Sequence, residues 1–145
     1  MTIHASAVLV GARAVLIRGS AGSGKSRLAL ALIRAGEAGS LPFARLIGDD
    51  RVHVEAAHGR ALVRPAATLA GLIEVRGLGI RRLPFESVAV VGLVVDLATD
   101  SERLPGAESA VAEVAGVMLP RLAVAPGSDP FGLLYAALRT EDSGH

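Results

Sequence analysis

One eight-residue run constrains this chain more than anything else in it: Gly19-Ser20-Ala21-Gly22-Ser23-Gly24-Lys25-Ser26. It satisfies G-x-x-x-x-G-K-[ST] at every fixed position. The flanks suit it. Ala14-Val15-Leu16-Ile17 is a short apolar run that reads as a buried strand, and Leu28-Ala29-Leu30-Ala31-Leu32-Ile33 is rich in helix formers. Glycine lets the backbone turn tightly and bring its N–H groups close to a phosphate. The helix that follows points its positive end at the same place. In such a loop Lys25 reaches the β- and γ-phosphates, and the Ser26 hydroxyl ligates Mg²⁺. The expectation is a nucleoside-triphosphate site, with ATP and Mg as cofactors. The motif by itself does not say what becomes of the γ-phosphate.

Composition narrows the rest. At 145 residues the chain is one domain by size, read here as a single unit over 1–145. A chain of that length buries roughly 68–70% of its unfolded surface, enough for a core without staples. There is no cysteine, which excludes disulfides and thiolate metal sites. A formal net charge of +1, with three Phe, one Tyr and no Trp, argues against a nucleic-acid binder. No apolar run approaches the roughly 20 residues that span a bilayer, and the N-terminus lacks the basic start of a signal peptide. The expectation is a soluble cytoplasmic protein.

Taken in order, Ala7 to Val10 and Arg13 to Ile17 read as two strands around a Gly11-Ala12 turn. The loop and its helix follow, to about Ala35. Ala44 to Gly48 reads as a strand ending in Asp49-Asp50, and 51–55 with 60–63 as a hairpin that Pro65 ends. Glu74-Val75-Arg76-Gly77-Leu78-Gly79 suggests a loop whose backbone approaches something. Val88 to Leu97 is a strong strand, 99–106 a polar loop, 107–119 ambiguous, and Leu122 to Val124 a short strand. Asp129-Pro130 reads as the cap and start of a last helix over 131–139. This order is not a regular strand–helix alternation. It predicts an α/β, P-loop-containing domain with a mixed, strand-rich sheet.

A triphosphate site needs an acidic group for the metal and, in a kinase, a base for the acceptor hydroxyl. Two strand ends offer one: Leu46-Ile47-Gly48-Asp49-Asp50, and Gly92-Leu93-Val94-Val95-Asp96. Pattern alone does not separate them.

The run Ile73-Glu74-Val75-Arg76-Gly77-Leu78-Gly79-Ile80 resembles the signature of the HPr kinase/phosphorylase family. His4 before the first strand, the glycine-rich loop, Asp49-Asp50-Arg51-Val52 and Arg103-Leu104 resemble further family segments in the same order. The resemblance implies a fold like that family's C-terminal domain. It implies a kinase that moves the γ-phosphate of ATP to a serine of HPr, a carrier of the bacterial phosphotransferase system. It also implies the reverse phosphorylase reaction and assembly as a homo-hexamer. Asp49 would be the base, or the acid in reverse, with Asp50 in support. Ser26 and Glu74 would hold Mg²⁺, and His4 would sit near the phosphates. Arg76 and Arg103 would steady charge on the phosphoryl group or position the acceptor. Asp96 would merely end a core strand.

The chain departs from the family in four ways. It resembles a short form that starts at the kinase domain, Arg27 stands where an acid is usual, Pro105 replaces a glycine, and 124–129 resembles a segment stripped of its arginines. Other readings of the same loop are an ATP-binding regulatory module without catalysis, a small-molecule kinase, or a GTPase switch. No Asn-Lys-x-Asp sequence supports the last.

Overall fold

The computed structural model describes residues 1–98 and 110–141. Its centre is the glycine-rich loop's own frame. Strand β3 (Arg13–Arg18) is buried through Ala14, Val15, Leu16 and Ile17, and helix α1 (Lys25–Glu37) returns along one face of the sheet. Alternation along β3 divides the core in two. Val15 and Ile17 face α1, where they join Leu28, Leu32 and Ile33. Ala14 and Leu16 face the other way. Burying one such leucine stabilises the fold by about 1.5–3 kcal/mol.

Strand β2 (Ala5–Val10) pairs antiparallel with β3, from Ala5 opposite Arg18 to Val10 opposite Arg13. Its other edge pairs antiparallel with β4 (Ala44–Gly48). On the far side of β3 runs β9 (Ala89–Leu97), parallel to it. Strands β3, β4 and β9 therefore end at the same edge of the sheet, the edge where α/β folds hold their ligands. Short β1 (Thr2–Ile3), β5 (Val52–Ala57) and β6 (Arg60–Pro65) continue the sheet, with β6 against the start of β9. Strand β7 (Leu72–Val75) and β8 (Gly79–Arg82) form a separate antiparallel pair. Strand β10 (Val111–Val114) and β11 (Val117–Val124) form a hairpin, and β11 runs parallel to the end of β9. Helix α2 (Pro130–Arg139) buries Leu134 against the α1 side of the core.

The mixed, strand-rich α/β sheet is as expected, three local expectations need correction, and one ambiguity is resolved. The stretch around Glu74 is not a loop. It is a hairpin in which only the turn, at Arg76-Gly77-Leu78, leaves the strands. The ambiguous 107–119, where described, is strand. Residue 115 and Gly116 both take positive φ, 51° and 80°, and turn the chain between β10 and β11. The strand foreseen at Leu122 begins at Val117 and passes through Pro120, where β11 changes partner from β10 to β9. Finally, Asp129 is the N-cap residue of α2 and Pro130 its first residue, as expected, but the Asp129 side chain makes no capping hydrogen bond. Arg103 and the polar loop around it lie outside the described residues.

Candidate functional site

The loop from Gly19 to Gly24 joins β3 to α1. Gly24 is the N-cap residue, at φ 101°, a conformation in which a side chain is strained. No side chain caps this helix end, and the first helical bond runs from the N–H of Leu28 to the carbonyl of Gly24. The N–H groups of Lys25, Ser26 and Arg27 precede that bond and have no partner within the helix. Open N–H groups at the positive end of a helix dipole suit an anion.

Lys25 is 6% exposed. Its Nζ donates to the carbonyls of Gly19 at 2.8 Å and Ser20 at 3.2 Å. It also stands 3.8 Å from Asp50 Oδ1. The Ser23 hydroxyl is buried without a hydrogen-bond partner, packed so close to Gly19 that a Cβ there would stand 2.4 Å from it.

The aspartate pair follows β4. Gly48, the last residue of that strand, makes room for the Val52 side chain, since a Cβ there would stand 2.7 Å from Val52 Cγ1. Asp49 is buried, 6% exposed. Its carboxylate accepts from the Ser26 hydroxyl at 2.7 and 2.8 Å, from the Ser6 hydroxyl at 2.7 Å, and from the backbone N–H of Glu74 at 3.0 Å. All of those donors are neutral. Asp50 behaves oppositely. Its backbone has φ 64°, and its side chain is 64% exposed.

The β7–β8 hairpin closes the other side. Ile73 anchors it in the α1-side core, while the side chains of Glu74 and Arg76 are exposed. Between hairpin and helix lies a cavity of about 980 Å³. It brings together Ala21, Gly22, Gly24, Lys25, Ser26, Asp49, Asp50, Glu74 and Arg76 from the expected set. Gly19, Ser20 and Ser23 belong to the loop but do not line the cavity. His4 is exposed between β1 and β2 and does not line it either. The cavity continues along α1 past Arg27, Leu30 and Arg34.

Asp96 is built differently. Arg18 donates to it twice, at 2.7 and 2.8 Å, and Arg121 Nε donates at 2.5 Å. Burial by itself would raise the Asp96 pKa. The hydrogen bonds from Arg18 and Arg121, with their charges, outweigh burial and hold it below the ordinary carboxylate value. The Asp96 hydrogen bond in turn raises the Arg18 pKa. Both lobes of this carboxylate are taken by cations, so it is no metal ligand.

Three partners escaped the sequence reading: Ser6, Arg18 and Arg121. Ser6 left one trace, as the polar interruption in Ala5-Ser6-Ala7-Val8-Leu9-Val10. The two arginines left none, because their pairing with Asp96 depends on the strand order.

Among the described residues no three His, Cys, Asp or Glu side chains come together as a metal cage. Mg²⁺ is usually held by one or two protein ligands and completes its shell with phosphate and water, so Ser26 and Glu74, which line the same cavity, fit it. Among the same residues no helix is long and apolar enough to cross a membrane.

A sequence model described as the HPr serine kinase C-terminal domain matches residues 1–137. The HPr kinase/phosphorylase of Enterococcus faecalis is 37% identical over 136 residues, covering 85% of this chain and 41% of that protein. The HPr kinase/phosphorylase of Clostridium tetani is 35% identical over 97 residues, covering 67% of this chain and 29% of that protein. The chain thus spans less than half the length of these relatives. A solved structure, the HPr(Ser) kinase/phosphatase from Coxiella burnetii, superposes with a TM-score of 0.76 at 23% identity, covering 96% of this chain and 94% of that one. That likeness concerns the fold, and the family match rests on residues 1–137: this chain belongs to the HPr serine kinase C-terminal domain family.

Proposed function

We propose that this chain is a Mg²⁺- and ATP-dependent kinase that phosphorylates a serine of an HPr-like carrier protein. One observation carries the reading: the Asp49 carboxylate is hydrogen-bonded to the hydroxyl of Ser26, in the same cavity as Lys25, Asp50, Glu74 and Arg76. Phosphoryl transfer needs positioning and charge neutralisation more than covalent chemistry, and this group of side chains supplies both.

The free N–H groups at the start of α1 hold the β- and γ-phosphates. Lys25 exchanges its contacts with the Gly19 and Ser20 carbonyls for phosphate oxygens. Ser26 and Glu74 would hold Mg²⁺, which would supply neutralisation of the phosphate charge. The seryl oxygen of the acceptor forms a bond to the γ-phosphorus as the bond to the β–γ bridging oxygen breaks, and Asp49 takes the seryl proton. To do so, Asp49 exchanges the Ser26 hydroxyl for the acceptor hydroxyl and keeps the hydrogen bond from Ser6. Asp50, exposed and near Lys25, supports it from the mouth. Arg76 steadies the transferring group.

Roles for His4 and Arg103 rest on family resemblance alone, as do the phosphorylase direction and a homo-hexameric assembly. The exposed side chains of Leu78, Ile80 and Met118 leave apolar surface that an assembly would cover.

The test is intact-mass spectrometry of an HPr-type carrier incubated with this protein, Mg²⁺ and ATP. The expected result is one added phosphoryl group on serine, absent with Asp49→Asn. No gain, with ATP still raising the melting temperature, favours the non-catalytic ATP-binding module.

A further inference from the structure

Ser6 has no part in the reaction described above. It is fully buried, and it is the polar residue of an otherwise apolar β2. Its hydroxyl donates to Asp49 Oδ1 at 2.7 Å and accepts from the backbone N–H of Asp50 at 3.0 Å. One side chain therefore ties two consecutive residues by different handles, the carboxylate of the first and the backbone of the second.

The backbone explains why a tie is needed there. Pairing between β2 and β4 shifts register at Ala7 and Val8, and Ala7 faces Gly48 where β4 ends. The chain then turns, and Asp50 takes φ 64°, a left-handed conformation that non-glycine residues rarely adopt. Its N–H leaves the strand ladder and finds its acceptor in Ser6. Neighbouring Ala5 and Ala7 carry no polar side-chain atom that might substitute.

We propose that Ser6 is a positioning residue for the Asp49–Asp50 pair. It holds the Asp49 carboxylate against Ser26, and through the Asp50 backbone it turns the second carboxylate out toward Lys25 and the cavity mouth. The consequence for phosphoryl transfer rests on the proposed kinase reading, whereas the consequence for the backbone does not.

The experiment compares Ser6→Ala with Val8→Ala. Val8 is fully buried on the same strand and touches neither aspartate through a hydrogen bond, so it controls for a general loss of packing. In the ligand-free proteins, amide exchange at Asp50 should accelerate roughly tenfold in Ser6→Ala and not in Val8→Ala. Toward an HPr-type carrier, kcat should fall roughly 10–100-fold in Ser6→Ala, as for the loss of other outer-shell partners, with KM for Mg·ATP unchanged. Val8→Ala should keep its kcat. Unchanged exchange at Asp50 overturns the proposal whatever the activity. Unaltered kcat in Ser6→Ala, or an equal loss in Val8→Ala, overturns it as well. A wild-type protein that phosphorylates no carrier defeats the kinase reading instead, and the exchange comparison still decides the role of Ser6.

Discussion

Asp49 and Asp96 both stand at the carboxyl ends of apolar strands, on the same edge of one sheet, yet one belongs to a site and the other to the frame. They lie on opposite faces. Asp49 meets two serine hydroxyls and an amide on the α1 side, and Asp96 meets two guanidiniums on the other. Neutral donors orient a carboxylate and leave its negative charge available to a cation. Two arginines orient it equally well and use that charge up. The surroundings of an acidic residue, more than its burial, thus decide whether it is free to do chemistry.

The sharpest way to break this contrast is a crossed pair of variants. Asp49→Asn should lower phosphoryl transfer by about 10²–10⁴-fold, the usual contribution of a general base, in a steady-state assay. It should cost only about 1 kcal/mol of stability, because one acceptor is lost. Asp50→Asn should cost less activity than Asp49→Asn. The opposite ranking would exchange their roles.

Asp96→Ala should do the reverse. It removes the carboxylate that two arginines share, one of them Arg121 with its side chain only 5% exposed, and should destabilise the fold by about 3 kcal/mol in urea unfolding. At temperatures where it stays folded it should turn over at the wild-type rate. Reduced turnover in a folded Asp96→Ala protein would join the two aspartates into one site.

Lys25→Ala should weaken ATP binding by about 10–100-fold in calorimetry, the loss of charge-assisted hydrogen bonds. Unchanged affinity would remove the glycine-rich loop from the site.

The smallest effect is with pH. Asp96 has a lowered pKa, so its ion pairs contribute fully above the free-group value of 3.8 and fade as pH falls below it, through the lowered folded value. Wild-type stability should therefore drop more steeply below about pH 4 than that of Asp96→Asn. Parallel acid-unfolding curves would show that the arginines leave Asp96 unperturbed.

Much of this was legible in the sequence, for a local reason. The glycine-rich loop, the β4 strand and its two aspartates, and α1 are each written within a few consecutive residues, and local patterning reads such segments. What failed was non-local. The two aspartates were indistinguishable because Arg18 reaches Asp96 across 78 positions, through the parallel register of β3 and β9. Ser6 reaches Asp49 across 43 positions, through the pairing of β2 with β4. The Glu74 hairpin looked like a loop because its four-residue strands are too short to show a period, and β8 is exposed throughout. The full extent of β11 was hidden by Pro120, which ends strands in general but is accommodated where this one passes from one neighbour to the next.

The bond from Lys25 to its own loop has one more consequence. An ammonium group is strongly hydrated, and stripping that water is a large part of the cost of binding with it. Here the water is already displaced, since the Gly19 and Ser20 carbonyls stand in for it. A ligand arriving at the loop competes with two peptide oxygens rather than with solvent. A group that offers more negative charge than a carbonyl is favoured in that exchange, so the Lys25 contact discriminates by charge and not by shape.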